Sequence, residues 1–183
     1  MNKIIFIFVF IFLFQNNLSA SNKTKIINKF DKTKNLSFNF IQTINDKNEK
    51  GKCTIQYPKK IYCEYKKKNK KILVSNGKSL VIKNSKAYYR YPLKSTPFEF
   101  LLDKKFLINK MNSSSLNETE SNYFFFQIIE NNNNINIFFS KKNFELIGWQ
   151  VEDVYQNLAV TYIFDTVINA KVDENLFKLP KQN

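Results

Sequence analysis

The clearest alternation of apolar and polar residues lies between Gly51 and Tyr65. Successive side chains of a β-strand point to opposite faces, so such alternation predicts a strand with one buried face. Two alternating runs are separated by Pro58-Lys59, which predicts a hairpin with Cys53 opposite Cys63. One face of this hairpin is mostly polar. The other face is apolar and aromatic and would carry Cys53, Ile55, Tyr57, Ile61, Cys63 and Tyr65.

Further strands are predicted along the chain from the same kind of pattern. Leu36, Phe38 and Phe40 occupy alternate positions of the first strand, and Asn76-Gly77 is typical of a tight hairpin turn. Polar turns are predicted over residues 45–50 and 66–71. The remaining strands are predicted over residues 72–74, 80–82, 87–91, 123–129, 135–139, 144–151 and 158–164.

Two segments have the pattern of helices. Ile26, Ile27 and Phe30 predict a short amphipathic helix between residues 22 and 34. Thr96 as N-cap, with Pro97 at the first helical position, predicts a second helical segment that extends to residue 111. Many antiparallel strands with few helices indicate a mainly β fold, in which a curved sheet carries helices against its concave face.

The first residues are interpreted as a secretory signal peptide rather than as part of the fold. Lys3 is followed by the apolar run Ile4–Phe14, which is too short to span a bilayer comfortably, and Leu18-Ser19-Ala20 offers small residues for cleavage. The alternative is an uncleaved anchor. Cleavage after Ala20 would leave a single domain, residues 21–183, secreted across the inner membrane into the periplasm.

The two cysteines of the chain, Cys53 and Cys63, lie opposite each other in the predicted hairpin. In an oxidising compartment they would form a disulfide, and two buried free thiols are the alternative. A zinc site is not expected, because the chain has no histidine and two cysteines alone do not complete the coordination of the metal. Nor does any other pattern indicate a cofactor.

Positive charge is concentrated in the first part of the chain. Residues 21–110 contain 23 Lys and Arg against 6 Asp and Glu, whereas residues 111–183 contain 5 against 9. Such a basic region could meet nucleic acid, anionic lipid or an acidic partner. General enrichment in Lys and Asn, as AT-rich coding produces, explains the same excess. Arg90 is the only arginine, and phosphate and base recognition favour arginine, so nucleic-acid binding is not expected.

Several kinds of catalytic site lack their residues in this chain. Without histidine there is no imidazole base, and the three glycines, Gly51, Gly77 and Gly148, form no phosphate-binding loop. Adjacent acids such as Glu152-Asp153 point to opposite faces of a strand and make poor acid–base partners. An enzyme is therefore not expected. Fourteen of the nineteen Phe follow residue 20, with nine Tyr and one Trp, which fits either an ordinary core or an apolar cavity.

Six short motifs in a fixed order resemble those of a known family. They are Phe40-Ile41-Gln42, the hairpin Gly51–Tyr65 with its Tyr57-Pro58-Lys59, the run Leu73–Leu80, Thr96-Pro97-Phe98 with Leu101-Leu102, Glu152-Asp153 with Leu158–Tyr162, and the closing Leu176–Pro180. Together they resemble the LolA family, the periplasmic carriers of outer-membrane lipoproteins. Nearly the whole of residues 21–183 is covered by this resemblance.

Three positions depart from the family pattern. Tyr57 stands where family members often carry an Arg that is expected to hold the helical lid closed. Cys63 replaces a tryptophan, and Val81-Ile82 replaces an aromatic pair. A tyrosine hydroxyl can donate one hydrogen bond but carries no charge, so the resemblance does not tell how the lid of this chain is latched.

The resemblance implies an incomplete, unclosed antiparallel β-barrel with an α-helical lid around an apolar cavity. The cavity of a monomer would take lipoprotein acyl chains from an inner-membrane ATP-driven release complex and deliver them to an outer-membrane acceptor, either a protein or the membrane. A carrier of another periplasmic lipid and a periplasmic lipoprotein-sensing regulatory module are the alternatives. The expected lining residues are Leu36, Phe38, Phe40, Ile55, Tyr57, Ile61, Tyr65, Ile72 and Val74, with Phe98, Leu101 and Leu102 from the lid.

Overall fold

The computed structural model describes residues 20–66, 69–153 and 155–182. The predicted signal peptide therefore lies outside the described residues, apart from Ala20. The strands are β1 Asn35–Ile44, β2 Lys47–Gln56, β3 Lys60–Tyr65, β4 Ile72–Asn76, β5 Ser79–Lys83, β6 Tyr88–Pro92, β7 Asn117–Glu118, β8 Tyr123–Glu130, β9 Asn133–Ser140, β10 Leu146–Glu152 and β11 Leu158–Ile168. The helices are α1 Asn22–Asp31, α2 Phe98–Leu101 and α3 Lys104–Ser113, and short 3₁₀ turns lie at Leu93–Ser95 and Glu174–Phe177.

The eleven strands form one antiparallel sheet in the order β6-β5-β4-β3-β2-β1-β11-β10-β9-β8-β7. Pairing of β1 with β11 joins the first and last parts of the chain. The terminal strands β6 and β7 are not paired with each other, so the sheet is open. This confirms the prediction of a mainly β, unclosed antiparallel sheet accompanied by helices. Within the described part of the chain, no helix is both long and apolar enough to cross a membrane.

The central hairpin has the predicted register. Cys53 pairs with Cys63 and Ile55 pairs with Ile61, and the two cysteines form a disulfide whose Cα atoms are 4.1 Å apart. The prediction of a polar turn over residues 45–50 was wrong in its extent. Only Asn45-Asp46 turn, in the left-handed conformation that these residue types tolerate, and β2 already begins at Lys47. The polar residues that follow lie mostly on the solvent-facing side of that strand.

The helices also differ from their predictions in detail. Helix α1 is capped by the Ser21 hydroxyl and buries Ile26 and Phe30, as its spacing predicts, although it ends at Asp31. The prediction of Thr96 as an N-cap was wrong, because its hydroxyl donates to the Leu93 carbonyl of the preceding 3₁₀ turn, over 2.8 Å. The following segment forms two helices rather than one, and Asp103 caps the second by accepting a hydrogen bond from the backbone of α3.

One hydrophobic core lies between the helices and one face of the sheet, called the inner face here. Gly51 is required at this face because the ring of Phe40 lies over it. A Cβ atom at Gly51 would be 2.6 Å from that ring and 2.3 Å from the carbonyl oxygen of Glu64. The space lets Phe40 meet Tyr65 edge to face across the hairpin, with ring centroids 5.1 Å apart. The apolar side of the hairpin is thus packed by aromatic rings under the helices.

Candidate functional site

The candidate site is the contact between helices α2–α3 and the inner face of the hairpin β2–β3, called the lid interface here. On the sheet side, alternation carries Ile55 and Ile61 to this contact, and each is only 1% exposed. On the helix side, Leu101 and Leu102 point into the same core, at 4% and 0% exposure. Helix α1 closes the site from another side through Phe30. The site is therefore apolar on every described wall.

Ten of the twelve residues that the sequence predicts as lining belong to this one core. The sheet contributes Leu36, Phe38, Phe40, Ile55, Tyr57, Ile61 and Tyr65, and the lid contributes Phe98, Leu101 and Leu102. All are buried except Tyr57 and Phe98, which are half-buried and pack against the core. The structure thus brings together residues that are up to 66 positions apart in the chain (36 to 102).

The other two, Ile72 and Val74, lie on the opposite face of the sheet. Strand β4 pairs Ile72 with Glu64 and Val74 with Tyr62, which are on the outer face of the hairpin. Leu73 and Ser75 of β4 face inward instead, because they pair with Cys63 and Ile61. Including Ile72 and Val74 in the lining was therefore wrong.

The space left inside the lid interface is very small. A cavity of about 10 Å³ remains, roughly the space of one water molecule. Its walls include five residues that sequence reasoning did not select. The full lining is Phe30, Ile55, Tyr57, Leu101, Leu107, Ile137, Leu146 and Trp149. The alternation of Ile135, Ile137 and Phe139 in the predicted strand 135–139 was the signal that could have identified the far wall. In this state the protein fills its own interior, so an acyl chain enters only if the helices move.

Tyr57 lies at the edge of the lid interface. Its ring meets Phe30 edge to face, with centroids 5.8 Å apart, and its backbone N–H donates to the Lys34 carbonyl over 3.0 Å. Burial raises the pKa of the Tyr57 hydroxyl. Among the described residues this hydroxyl has no hydrogen-bond partner, so Tyr57 does not replace the family's arginine as a polar latch.

Lys59, two residues later, holds the lid to the hairpin. Its ammonium group donates to the Glu99 carboxylate of α2 and lies 3.5 Å from an Asp103 oxygen at the start of α3. Its backbone N–H donates to the Leu102 carbonyl over 2.8 Å, and its own carbonyl accepts from the Ser75 hydroxyl. The hydrogen bond to Glu99 is the main cause that raises the pKa of Lys59. Sequence reasoning missed this latch, although a Lys next to the hairpin proline was its visible half.

A groove of about 790 Å³ lies outside the latch. Four lysines line it against two carboxylates, which gives the wall a net positive charge. The lining residues are Lys34, Asn35, Gln56, Tyr57, Pro58, Lys59, Asp103, Lys104, Lys105, Val172 and Glu174. Tyr57 lines both this groove and the small inner cavity, so its side chain is the wall between them. The described residues contain no cluster of three or more His, Cys, Asp or Glu side chains that could hold a metal ion.

Solved structures with similar folds show very low sequence identity to this chain. An uncharacterized conserved protein from Thermus thermophilus has a TM-score of 0.51 and 9% identity, over 87% of this chain and 93% of that one. A LolA superfamily protein from Nitrosomonas europaea has a TM-score of 0.43 and 9% identity, over 87% and 99% of the two chains. MucB in complex with MucA(peri) has a TM-score of 0.46 and 10% identity, over 88% and 60%.

Sequence comparison gives a more specific result than these folds. No curated protein sequence matches the chain significantly. The family model described as "Outer membrane lipoprotein carrier protein LolA" matches residues 31–180, which include all eleven strands, both lid helices and the groove. The chain belongs to the family of the outer membrane lipoprotein carrier protein LolA.

Proposed function

We propose that this protein is a periplasmic carrier that holds lipoprotein acyl chains in the lid interface. The observation that carries the proposal is the way in which the lid is attached. Helices α2 and α3 cover an entirely apolar inner face, yet their polar contacts with the sheet are concentrated at one residue, Lys59. A lid held in this way can leave the inner face without breaking any pairing within the sheet.

The energetics of acyl chains support a carrier. Each buried methylene contributes about 0.8 kcal/mol, so free acyl chains are very unfavourable in water. The lid residues Phe98, Leu101 and Leu102 cover the inner face when no ligand is present. An acyl chain that replaces them recovers much of the apolar burial that opening of the lid removes. Binding is then favourable but moderated by the cost of opening, which suits a carrier that must release its cargo.

The proposed route follows from the family and from the predicted signal peptide. Cargo would be received from an inner-membrane ATP-driven release complex and passed to an outer-membrane acceptor, either a protein or the membrane itself. Handover requires that the acceptor bind the acyl chains more strongly than the lid interface does. A single domain of residues 21–183, acting as a monomer, would make this journey.

The proposal is tested by placing a charge inside the lid interface from either side. Ile61→Glu changes the sheet wall and Leu101→Glu changes the lid, and both positions are buried. Each variant is expected to lose release of lipoprotein from inner-membrane vesicles that contain the chain's own release complex, because a carboxylate disfavours acyl chains there. The second variant leaves the sheet core intact if the first fails to fold. Circular dichroism would verify the fold of each variant before the release assay.

Lys52→Glu is the matched control, since Lys52 is exposed on the outer face of the same hairpin. It is expected to release lipoprotein as well as the wild type does. Full activity in both folded inner-face variants, or no release by the wild type, would show that the carrier proposal is wrong. Mass spectrometry of lipid that copurifies with the protein would then test a carrier of another lipid. A stable complex with the periplasmic domain of a signalling protein would instead indicate a sensor.

A further inference from the structure

The groove beside the latch is polar where the lid interface is apolar, and the proposed acyl site does not account for it. It lies where four separate segments meet: the start of β1, the β2–β3 turn, the start of α3, and residues 172–174. Its volume of about 790 Å³ is far larger than the 10 Å³ inside the lid interface. Because Tyr57 separates the two spaces, a ligand that displaces this ring could occupy both at once.

Hydrogen-bonding groups in the groove wall are left without partners. The side-chain oxygens of Asn35 and Gln56 are buried and accept no hydrogen bond. The amide nitrogen of Asn35 likewise has no partner among the described residues, whereas that of Gln56 donates to Glu174 over 2.5 Å. Lys34 and Lys105 are exposed, and neither ammonium group has a partner in the described part of the chain. The wall therefore offers both unused acceptors and unused donors.

Only some chemical groups match such a wall. An acyl chain offers neither donors nor acceptors, and a lone anion would satisfy the lysines but not the amide oxygens. An extended polypeptide supplies one N–H and one carbonyl with almost every residue. The side-chain amide of Asn35 can pair with a peptide group in both directions, and the free lysines can donate to its carbonyls. An unpaired buried polar group costs free energy, so such pairing is favourable.

We propose that the groove holds the extended peptide that directly follows the acylated residue of the cargo. This rests on the proposed function, since it places the acyl chains in the lid interface and the peptide outside it. The acyl chains pass Tyr57, and the first peptide groups then lie against Asn35, Gln56 and the free lysines. The groove would thus distinguish acylated proteins from free lipids.

The test compares probes that share an acyl chain but differ in the group attached to it. The probes are a fatty acid, an alkyl phosphate, and two diacylated lipopeptides with one and with six uncharged residues. Trp149, the single tryptophan, lines the inner cavity, so its fluorescence reports entry of the acyl chain. The six-residue lipopeptide is expected to bind about tenfold more tightly than the one-residue form, as one or two added hydrogen bonds would give.

Variants of the groove assign this gain to its wall. Asn35→Leu combined with Lys105→Ala is expected to remove the gain with peptide length while leaving fatty-acid binding unchanged. Asn136→Leu is the matched control, because Asn136 also has a buried side-chain oxygen without a partner but lies on β9, outside the groove. This control is expected to keep the full gain.

The possible results separate the groove from the acyl site. Equal affinity for both lipopeptides, with normal fatty-acid binding, would overturn the groove proposal and leave the carrier proposal intact. A gain with alkyl phosphate that equals the gain with peptide, and that survives Asn35→Leu, would overturn it in favour of an anion site. If no acyl probe changes the fluorescence of Trp149, the carrier proposal fails, and the groove proposal falls with it.

Discussion

The two halves of the open sheet are stabilised in different ways. Strands β7–β11 are joined largely by aromatic rings: Phe126 meets Phe139 at 6.0 Å, and Phe138 stacks on Tyr162 at 5.8 Å. Strands β1–β6 carry the disulfide of the central hairpin and the ion pairs of the lid. Their part of the chain, residues 21–110, also has 23 basic against 6 acidic residues. The first half is thus cross-linked and charged, and the second is packed.

This difference fits the position of the lid. The hairpin β2–β3 is the wall that the lid covers, and the proposed function requires it to lose those contacts temporarily. A covalent link between Cys53 and Cys63 keeps the two strands in register whether the lid is present or absent. The wall formed by β8–β10 needs no such link, because its rings stay packed against one another and against α1. The contrast predicts that the two halves respond differently to substitution.

The largest effect is expected in the packed half. Phe139 is fully buried and meets both Phe30 and Phe126 edge to face. Phe139→Ala is expected to lower the free energy of unfolding by about 3–5 kcal/mol, since it leaves a cavity among rings that cannot easily collapse. Denaturant unfolding measures the loss. Phe164→Ala, at an outer-face position that is 44% exposed, should cost less than about 1 kcal/mol. Equal losses for the two variants would contradict the packed wall.

A smaller effect is expected from the disulfide of the other half. The double substitution Cys53→Ser and Cys63→Ser is expected to lower the free energy of unfolding by roughly 2–3 kcal/mol, because the bond closes a short loop and restricts the unfolded chain. The wild type under reducing conditions should unfold like the double variant. Intact mass with and without reductant should differ by two hydrogens. Unfolding that is insensitive to reductant would show that the disulfide does not stabilise the hairpin.

The hairpin is the part of the fold that the sequence predicts best. Its two faces differ sharply in polarity, and Pro58-Lys59 fixes the turn, so the register and the pairing of Cys53 with Cys63 follow. Alternation failed at β4, where consecutive apolar residues leave the facing direction undecided. Both Leu73 and Val74 are buried there, on opposite faces, because the 3₁₀ turn Glu174–Phe177 contacts β3 and β4 in addition to the inner core.

The latch and the groove could not be predicted in the same way. Lys59 and Glu99 are 40 positions apart, and their contact depends on how the lid returns to the hairpin turn. The groove wall combines Lys34, Tyr57, Lys105 and Val172, which no local pattern relates. Ring contacts across the sheet, such as Phe38 with Trp149, likewise depend on which strands become neighbours. Periodicity predicts which face a residue occupies but not what lies across from it.

The uneven charge of the two halves predicts how the protein meets membranes. The basic first half is expected to bind anionic vesicles, and binding should weaken steeply as salt is added, because salt screens exposed charges. Sedimentation with anionic and with neutral vesicles at several salt concentrations measures this. Arg90→Glu, on the edge strand β6, should weaken binding to the anionic vesicles, while Glu120→Gln, in the other half, should not. Equal binding to anionic and neutral vesicles would remove the idea.

The smallest effect on stability is expected at the latch. Lys59→Met keeps the apolar stem but removes the ammonium group from Glu99 and Asp103, which are partly exposed to water. The loss in free energy of unfolding should therefore be only about 0.5–1 kcal/mol near neutral pH. Lys105→Met, whose ammonium group has no partner among the described residues, should change it less. If the latch holds the lid, Lys59→Met should nevertheless admit acyl probes faster than the wild type does.

The pH dependence of this difference follows from the raised pKa of Lys59. Because folding raises the pKa above its ordinary value of 10.5, the folded state binds the proton more tightly than the unfolded state. The stabilisation by the ion pair is then fully present below 10.5 and is lost as the pH rises through the folded-state pKa. The difference in unfolding free energy between wild type and Lys59→Met should accordingly be constant at moderate pH and decline only in strongly alkaline solution. A difference that disappears near neutral pH would show that another group, rather than the Lys59 ammonium, holds the lid to the hairpin.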